Sequence, residues 1–126
     1  MSDFINFEEA LELKHLGFNE HVFCTYRKGE KFTFEDDGPN RNSDIDSWLS
    51  GNGICSAPLY SQVFRWFRKN YNLASYIEAI MVANDSGYIY KFEIPKLDTF
   101  DDYFDTYEEA ELACLKELIK VVKNTL

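Results

Sequence analysis

Histidine, methionine and tryptophan occur only twice each in this 126-residue chain, and cysteine and proline three times each. Cys24, Cys55 and Cys114 are an odd number, with no C-x-x-C pair and no histidine at ligand spacing, which argues against a disulfide framework and against the common zinc motifs. Long apolar runs are also missing. The longest, 79–83, is far shorter than the roughly 20 residues a membrane helix needs, and MSDFINFEEA at residues 1–10 has neither a basic leader nor an apolar signal core. These absences predict a cytoplasmic protein with no membrane partner.

Basic charge is in short supply as well. Thirteen Lys and Arg stand against 22 Asp and Glu, a net charge of −9, and such a field repels polyphosphates and anionic head groups at long range. Nucleic acid is therefore disfavoured as a ligand. Gly51 and Gly53 lack the preceding strand and following lysine of a phosphate loop, and no G-x-S-x-G motif accompanies His15 or His21.

What the chain has in quantity is apolar and aromatic surface, at 45% and 17% of residues. That is enough to offset chain entropy in one domain over 1–126. FEEALELKHL at 7–16 reads as an amphipathic helix capped by Asn6 and stopped by Gly17. HVFCTYR at 21–27 and KFTFE at 31–35 form a hairpin around Lys28-Gly29. The Gly-, Pro-, Asn-, Asp- and Ser-rich stretch 36–56 then reads as a long polar loop, in which Trp48 and Leu49 argue against full disorder, since a buried Trp would pin it to the body.

Pro58 opens the second helix. At 100° per residue, Leu59, Val63, Trp66, Phe67 and Tyr71 share one arc while Arg65, Arg68 and Lys69 project from the other side. A single-stranded nucleic-acid platform needs rings and cations on one exposed surface, whereas this spacing parts them. SYIEAIMVA at 75–83 and YIYKFEI at 88–94 make a second hairpin, with Tyr88, Tyr90, Phe92 and Ile94 on one face and Ile89, Lys91 and Glu93 on the other. A last helix starts at the Thr106–Glu109 capping box and keeps Ala110, Cys114, Leu118, Val121 and Val122 on one side. The predicted fold is α+β, in the order αββαββα, with both hairpins in an antiparallel sheet and three helices.

Few constellations carry chemistry. Asn40, Asn42, Asp44 and Asp46 alternate like the start of a calcium loop, yet Ile45 stands where the glycine belongs and Gly51 where the bidentate glutamate belongs, so no metal site is assigned. Cys24 and Cys114 read as small buried hydrophobes. Cys55 follows the loop, and the alternative reading is a small enzyme using either Cys55 or a carboxylate pair in a pocket. The densest acidic cluster runs from Asp98 through Asp101, Asp102, Asp105 and Glu108 into the last helix. It suits a solvated, dipole-matched helix start, with acid/base chemistry, metal capture or mimicry of a phosphate backbone toward a DNA-binding partner as the other readings.

EEALELKHLGFNEHVFCTY, APLYSQVFRWFRKNYNL and TYEEAELACLKELIKVVKN, taken in that order, resemble a family of small uncharacterised proteins from gut-bacterial genomes, prophages and phages. The resemblance rests on Gly17-Phe18, on Pro58 with Trp66 and Phe67, and on Tyr107 to Ala110. It implies mobile-element biology inside a bacterial cell and no assigned activity, cofactor or catalytic residue. The expectation is a non-enzymatic acidic interaction module binding a host or phage protein through Trp48, Asp98, Asp101, Asp102, Asp105 and Glu108. A homodimer is a further option if the rings at 100, 103 and 104 are uncovered.

Overall fold

The computed structural model describes residues 3–22, 24–27, 30–33, 42, 54–82, 87–97 and 102–125. The fold is α+β, with helices and antiparallel hairpins in the order α β β α β β α. The strands are distributed over two sheets, and one short strand joins the first of them. The chain divides into two compact units, Met1–Val63 and Phe64–Leu126.

In the first unit, α1 spans Phe7–His15. Asn6 precedes it in extended backbone and accepts the Ala10 N–H through its carbonyl at 2.9 Å, while its side chain makes no cap bond. Glu8 and Glu9 sit where they complement the dipole of the first turn. Gly17 ends the helix as expected, in the left-handed region at φ 97. Gly17 N–H reaches Lys14 O at 3.1 Å and Phe18 N–H reaches Leu13 O at 2.9 Å, closing a Schellman turn over the buried pair Leu13 and Phe18.

β1 (Cys24–Arg27) and β2 (Glu30–Thr33) form the first hairpin, in the register Cys24 to Thr33 and Arg27 to Glu30. β3 (Ile54–Ala57) pairs with the other edge of β1, giving the order β2-β1-β3, so residues 54–56 of the stretch read as loop are strand. The extended line continues past β3. Phe4 bridges Leu59, Ile5 N–H meets Pro58 O and Tyr60 N–H meets Asp3 O, both at 3.0 Å. Because Leu59 belongs to this bridge, the second helix begins at Tyr60 and Pro58 lies before it rather than in its first turn. α1 packs against β3, over a core that includes Ile5, Ala10, Leu13, Cys55, Ala57 and Val63.

The unit boundary falls inside α2 (Tyr60–Tyr71). In its second half Trp66 is 6% exposed and Phe67 0%, whereas Arg65, Arg68 and Lys69 are exposed. Trp66 meets Phe67 edge-on at 5.0 Å and Tyr71 at 5.3 Å. The helix ends at Asn72, whose φ of 55 suits a residue tolerant of left-handed backbone.

β4 (Tyr76–Met81) and β5 (Tyr88–Glu93) form the second hairpin, in the register Tyr76 to Glu93 and Met81 to Tyr88. Ile77, Ala79, Met81, Tyr88, Tyr90 and Phe92 share one face of it. α3 (Tyr107–Thr125) packs on β5 and, more lightly, on β4. Its buried residues are Ala110, Cys114, Leu115, Leu118, Ile119 and Val122. Val121 is only half-buried, so the core face is turned slightly from the predicted stripe, with Leu115 and Ile119 taking its place.

Candidate functional site

Two anchors hold the backbone just ahead of α3. Phe104 forms an isolated antiparallel bridge with Tyr90, exchanging Tyr90 N–H to Phe104 O at 2.8 Å and Phe104 N–H to Tyr90 O at 2.7 Å. Its ring stacks on Phe92 at 6.4 Å. Two residues on, Thr106 Oγ accepts the Glu109 N–H at 3.1 Å and donates to the Glu109 carboxylate at 2.9 Å. This is a helix cap that fixes the entry into α3.

Between and around these anchors, Asp102, Tyr103, Asp105, Tyr107 and Glu108 face solvent, with Tyr103 54% and Tyr107 45% exposed. Tyr107 is oriented by an edge contact with Tyr90 at 6.1 Å. Its phenol pKa is raised, first by partial burial and then by Glu111, Cys114 and Glu108, so it remains a neutral donor through the physiological range. On the reverse face of the hairpin Lys91 is bound to Glu93 at 2.8 Å. That hydrogen bond leads the upward shift of the Lys91 ammonium, with Glu93, Tyr103 and Glu78 adding to it and desolvation opposing. Carboxylates and exposed tyrosines thus stand close in sequence around the Phe104 anchor, and such residue types suit a cationic protein partner: aromatic rings supply contact area at low entropy cost, and carboxylates supply steering.

Of the residues read from the sequence as binding groups, Asp102, Asp105 and Glu108 are exposed, while Trp48, Asp98 and Asp101 lie outside the described residues, as does Phe100. Tyr103 is uncovered and Phe104 is turned inward onto Phe92.

All three cysteines are free and buried. Cys55 is fully enclosed, and burial pushes its thiol up to about 12 against a smaller opposing pull from Lys14, so it holds its proton at neutral pH. Burial does the same to Cys114, again to about 12. His15 and His21 are both exposed. A furrow of about 300 Å³ runs along α1 past Phe7, Glu8, Leu11, Glu12 and His15, but one helix supplies every wall. Among the described residues no group of three or more His, Cys, Asp and Glu could hold a metal ion. Nor is any described helix long and apolar enough to cross a membrane.

Asn42, whose sequence context reads as a turn-forming loop or a weak calcium-loop match, is committed to structure. It is buried, donates from Nδ2 to Phe18 O at 2.6 Å, and accepts the Ser56 N–H on Oδ1 at 2.8 Å. One amide thus ties the turn after α1 to β3. Beside it, Thr25 and Ser56 stand opposite each other in the β1–β3 register, and among the described residues neither buried hydroxyl has a hydrogen-bond partner. On the sheet's other face Tyr26 donates to Ile5 O at 2.6 Å, and burial leads the rise of its phenol pKa, with Cys55, Cys24 and Glu9 adding to it.

The chain matches no protein-family model, no curated protein and no solved structure.

Proposed function

We propose that this protein is a non-enzymatic interaction module of phage or mobile-element origin, acting in a bacterial cytoplasm. It engages a host or phage protein through the surface of Asp102, Tyr103, Asp105, Tyr107 and Glu108. The observation that carries this reading is the exposure of Tyr103 beside Asp102 and Asp105 on a backbone pinned by the Phe104 bridge and the Thr106 cap. An unanchored acidic loop would lose affinity to ordering, and a pinned one loses less. The partner fitting it carries Arg or Lys around an apolar patch that receives Tyr103. The enclosure of Cys55 supports the interaction reading over a thiol enzyme, because a nucleophile must be both ionised and reachable.

The test is affinity capture from bacterial lysate, with the full chain compared against Tyr103→Ala and against the triple variant Asp102→Lys, Asp105→Lys, Glu108→Lys. A protein retained by the wild type, released by added salt and lost with both variants is expected. Retention of nothing above background, or capture indifferent to both variants, overturns the reading.

A further inference from the structure

The Phe104 bridge carries the register of the second hairpin one segment further. Phe104 and Tyr90 exchange both backbone hydrogen bonds in an antiparallel pair, which sets their chain neighbours side by side and places Tyr103 opposite Lys91. On its other side Lys91 is paired with Glu78, so Glu78, Lys91 and Tyr103 form one row across three extended segments. Side chains alternate between faces, and the Phe104 ring is stacked on Phe92, so the row lies on the reverse face together with Glu93. Lys91 is bonded to Glu93 at 2.8 Å. That bond leads the upward shift of the Lys91 pKa, against desolvation, and Glu93, Tyr103 and Glu78 add to it, so carboxylates and a phenol surround the ammonium. Lys91 and Glu93 are half-buried, while Glu78 and Tyr103 at the two ends of the row are exposed.

We propose that Lys91 is an internal stand-in for the partner's cation: the seat formed by Glu93, Glu78 and Tyr103 receives an arginine of the partner protein, and Lys91 leaves Glu93 as that arginine enters. The inference rests on the interaction reading above and adds to it an anchoring point and a restraint on affinity. The class of occupant follows from the group already seated, a side-chain cation held by carboxylates. Arginine suits the seat better than the lysine it displaces, because a planar guanidinium pairs with a carboxylate through two parallel hydrogen bonds while its face stacks on an aromatic ring. The seat holds two carboxylates against one ammonium, so it attracts a second cation before Lys91 has moved. Release of Lys91 is easy, since a lysine pair near the surface contributes little and its long stem swings out to water. Until then Glu93 stays paired, and cations that bind too weakly to displace Lys91 are turned away.

Fluorescence anisotropy of a labelled hexa-arginine peptide, titrated with the full chain at low ionic strength, tests this. Lys91→Met keeps the stem and removes the charge, and is expected to bind the peptide more tightly than wild type by up to about fivefold. Lys120→Met, at an exposed position of α3, makes the same change in net charge and is expected to bind as wild type does. In a Glu93→Gln background the gain from Lys91→Met is expected to vanish. Lys91→Gln replaces Lys91→Met if the latter alters the circular dichroism spectrum. Wild-type binding that the triple variant Asp102→Lys, Asp105→Lys, Glu108→Lys weakens, with Lys91→Met gaining no more than Lys120→Met, overturns the stand-in and leaves the interaction surface in place. A gain that survives Glu93→Gln overturns it as well. Absence of binding by wild type and Lys91→Met alike overturns both the stand-in and the acidic surface.

Discussion

Moving the protein from about pH 8 to about pH 10 tests whether Cys55 and Cys114 are sealed as their burial implies. Both thiols are raised from an ordinary value of 9.0 to about 12 by burial. Folded chains therefore keep protons that unfolded chains release, and stability falls with rising pH over this window. The contribution is fully present below pH 9 and is lost as pH climbs from 9 toward 12. At about pH 10 an unfolded thiol is some ten-elevenths ionised and a folded one hardly at all, which corresponds to about 1.4 kcal/mol for each cysteine and about 3 kcal/mol for the two.

Urea denaturation at the two pH values reads this as a fall in midpoint. Tyr26, Tyr107 and Lys91 are also raised and act in the same direction, so the diagnostic quantity is the difference between wild type and alanine variants. Cys55→Ala and Cys114→Ala should each flatten the alkaline decline by about 1.4 kcal/mol, and because the two residues belong to different compact units they report separately. A thiol-reactive dye should leave all three cysteines unmodified at about pH 8 until denaturant is added. Variants that decline as steeply as wild type, or dye that labels folded and unfolded chains at equal rates, would refute the reasoning.

Asn42→Ala orphans the Phe18 carbonyl and the Ser56 N–H together, and a loss of about 2 to 4 kcal/mol in denaturant stability is expected, with unchanged stability contradicting the bridge. Thr25→Val works in the opposite direction, since it replaces an unpartnered buried hydroxyl by a methyl of the same shape on a strand that favours branched side chains. A gain of up to about 1 kcal/mol is expected from the same assay, and a clear loss would mean that the hydroxyl has a partner.

The parts of this fold legible in the sequence are those in which local pattern and burial agree. In α2, apolar and cationic residues alternate at helical spacing, so the inward turn of Trp66 and Phe67 and the outward turn of Arg65, Arg68 and Lys69 follow from geometry alone. The second hairpin is announced by the alternation of Tyr90, Lys91, Phe92 and Glu93 in YIYKFE. β3 is not announced: ICSA is four residues long, carries small side chains, and becomes a strand only because β1 offers an edge. Asn42 was illegible for a related reason. In a turn-rich stretch an asparagine reads as a turn former or an oxygen ligand, and only the approach of Phe18 and Ser56, both distant in sequence, shows its use. The distribution of strands over two sheets was equally hidden, because alternation specifies which face of a strand is buried and leaves open which edges meet.

Phe104 closes the outer edge of β5 and, with the Thr106 cap two residues on, fixes the backbone on which Asp102, Tyr103, Asp105 and Glu108 are exposed. Residues 102–111 hold Asp102, Asp105, Glu108, Glu109 and Glu111, and a cationic partner is drawn where the field is strongest. Because the bridge and the cap hold this backbone before any partner arrives, the charges there steer an approaching cation without the ordering loss that an unpinned segment of the same composition would bring.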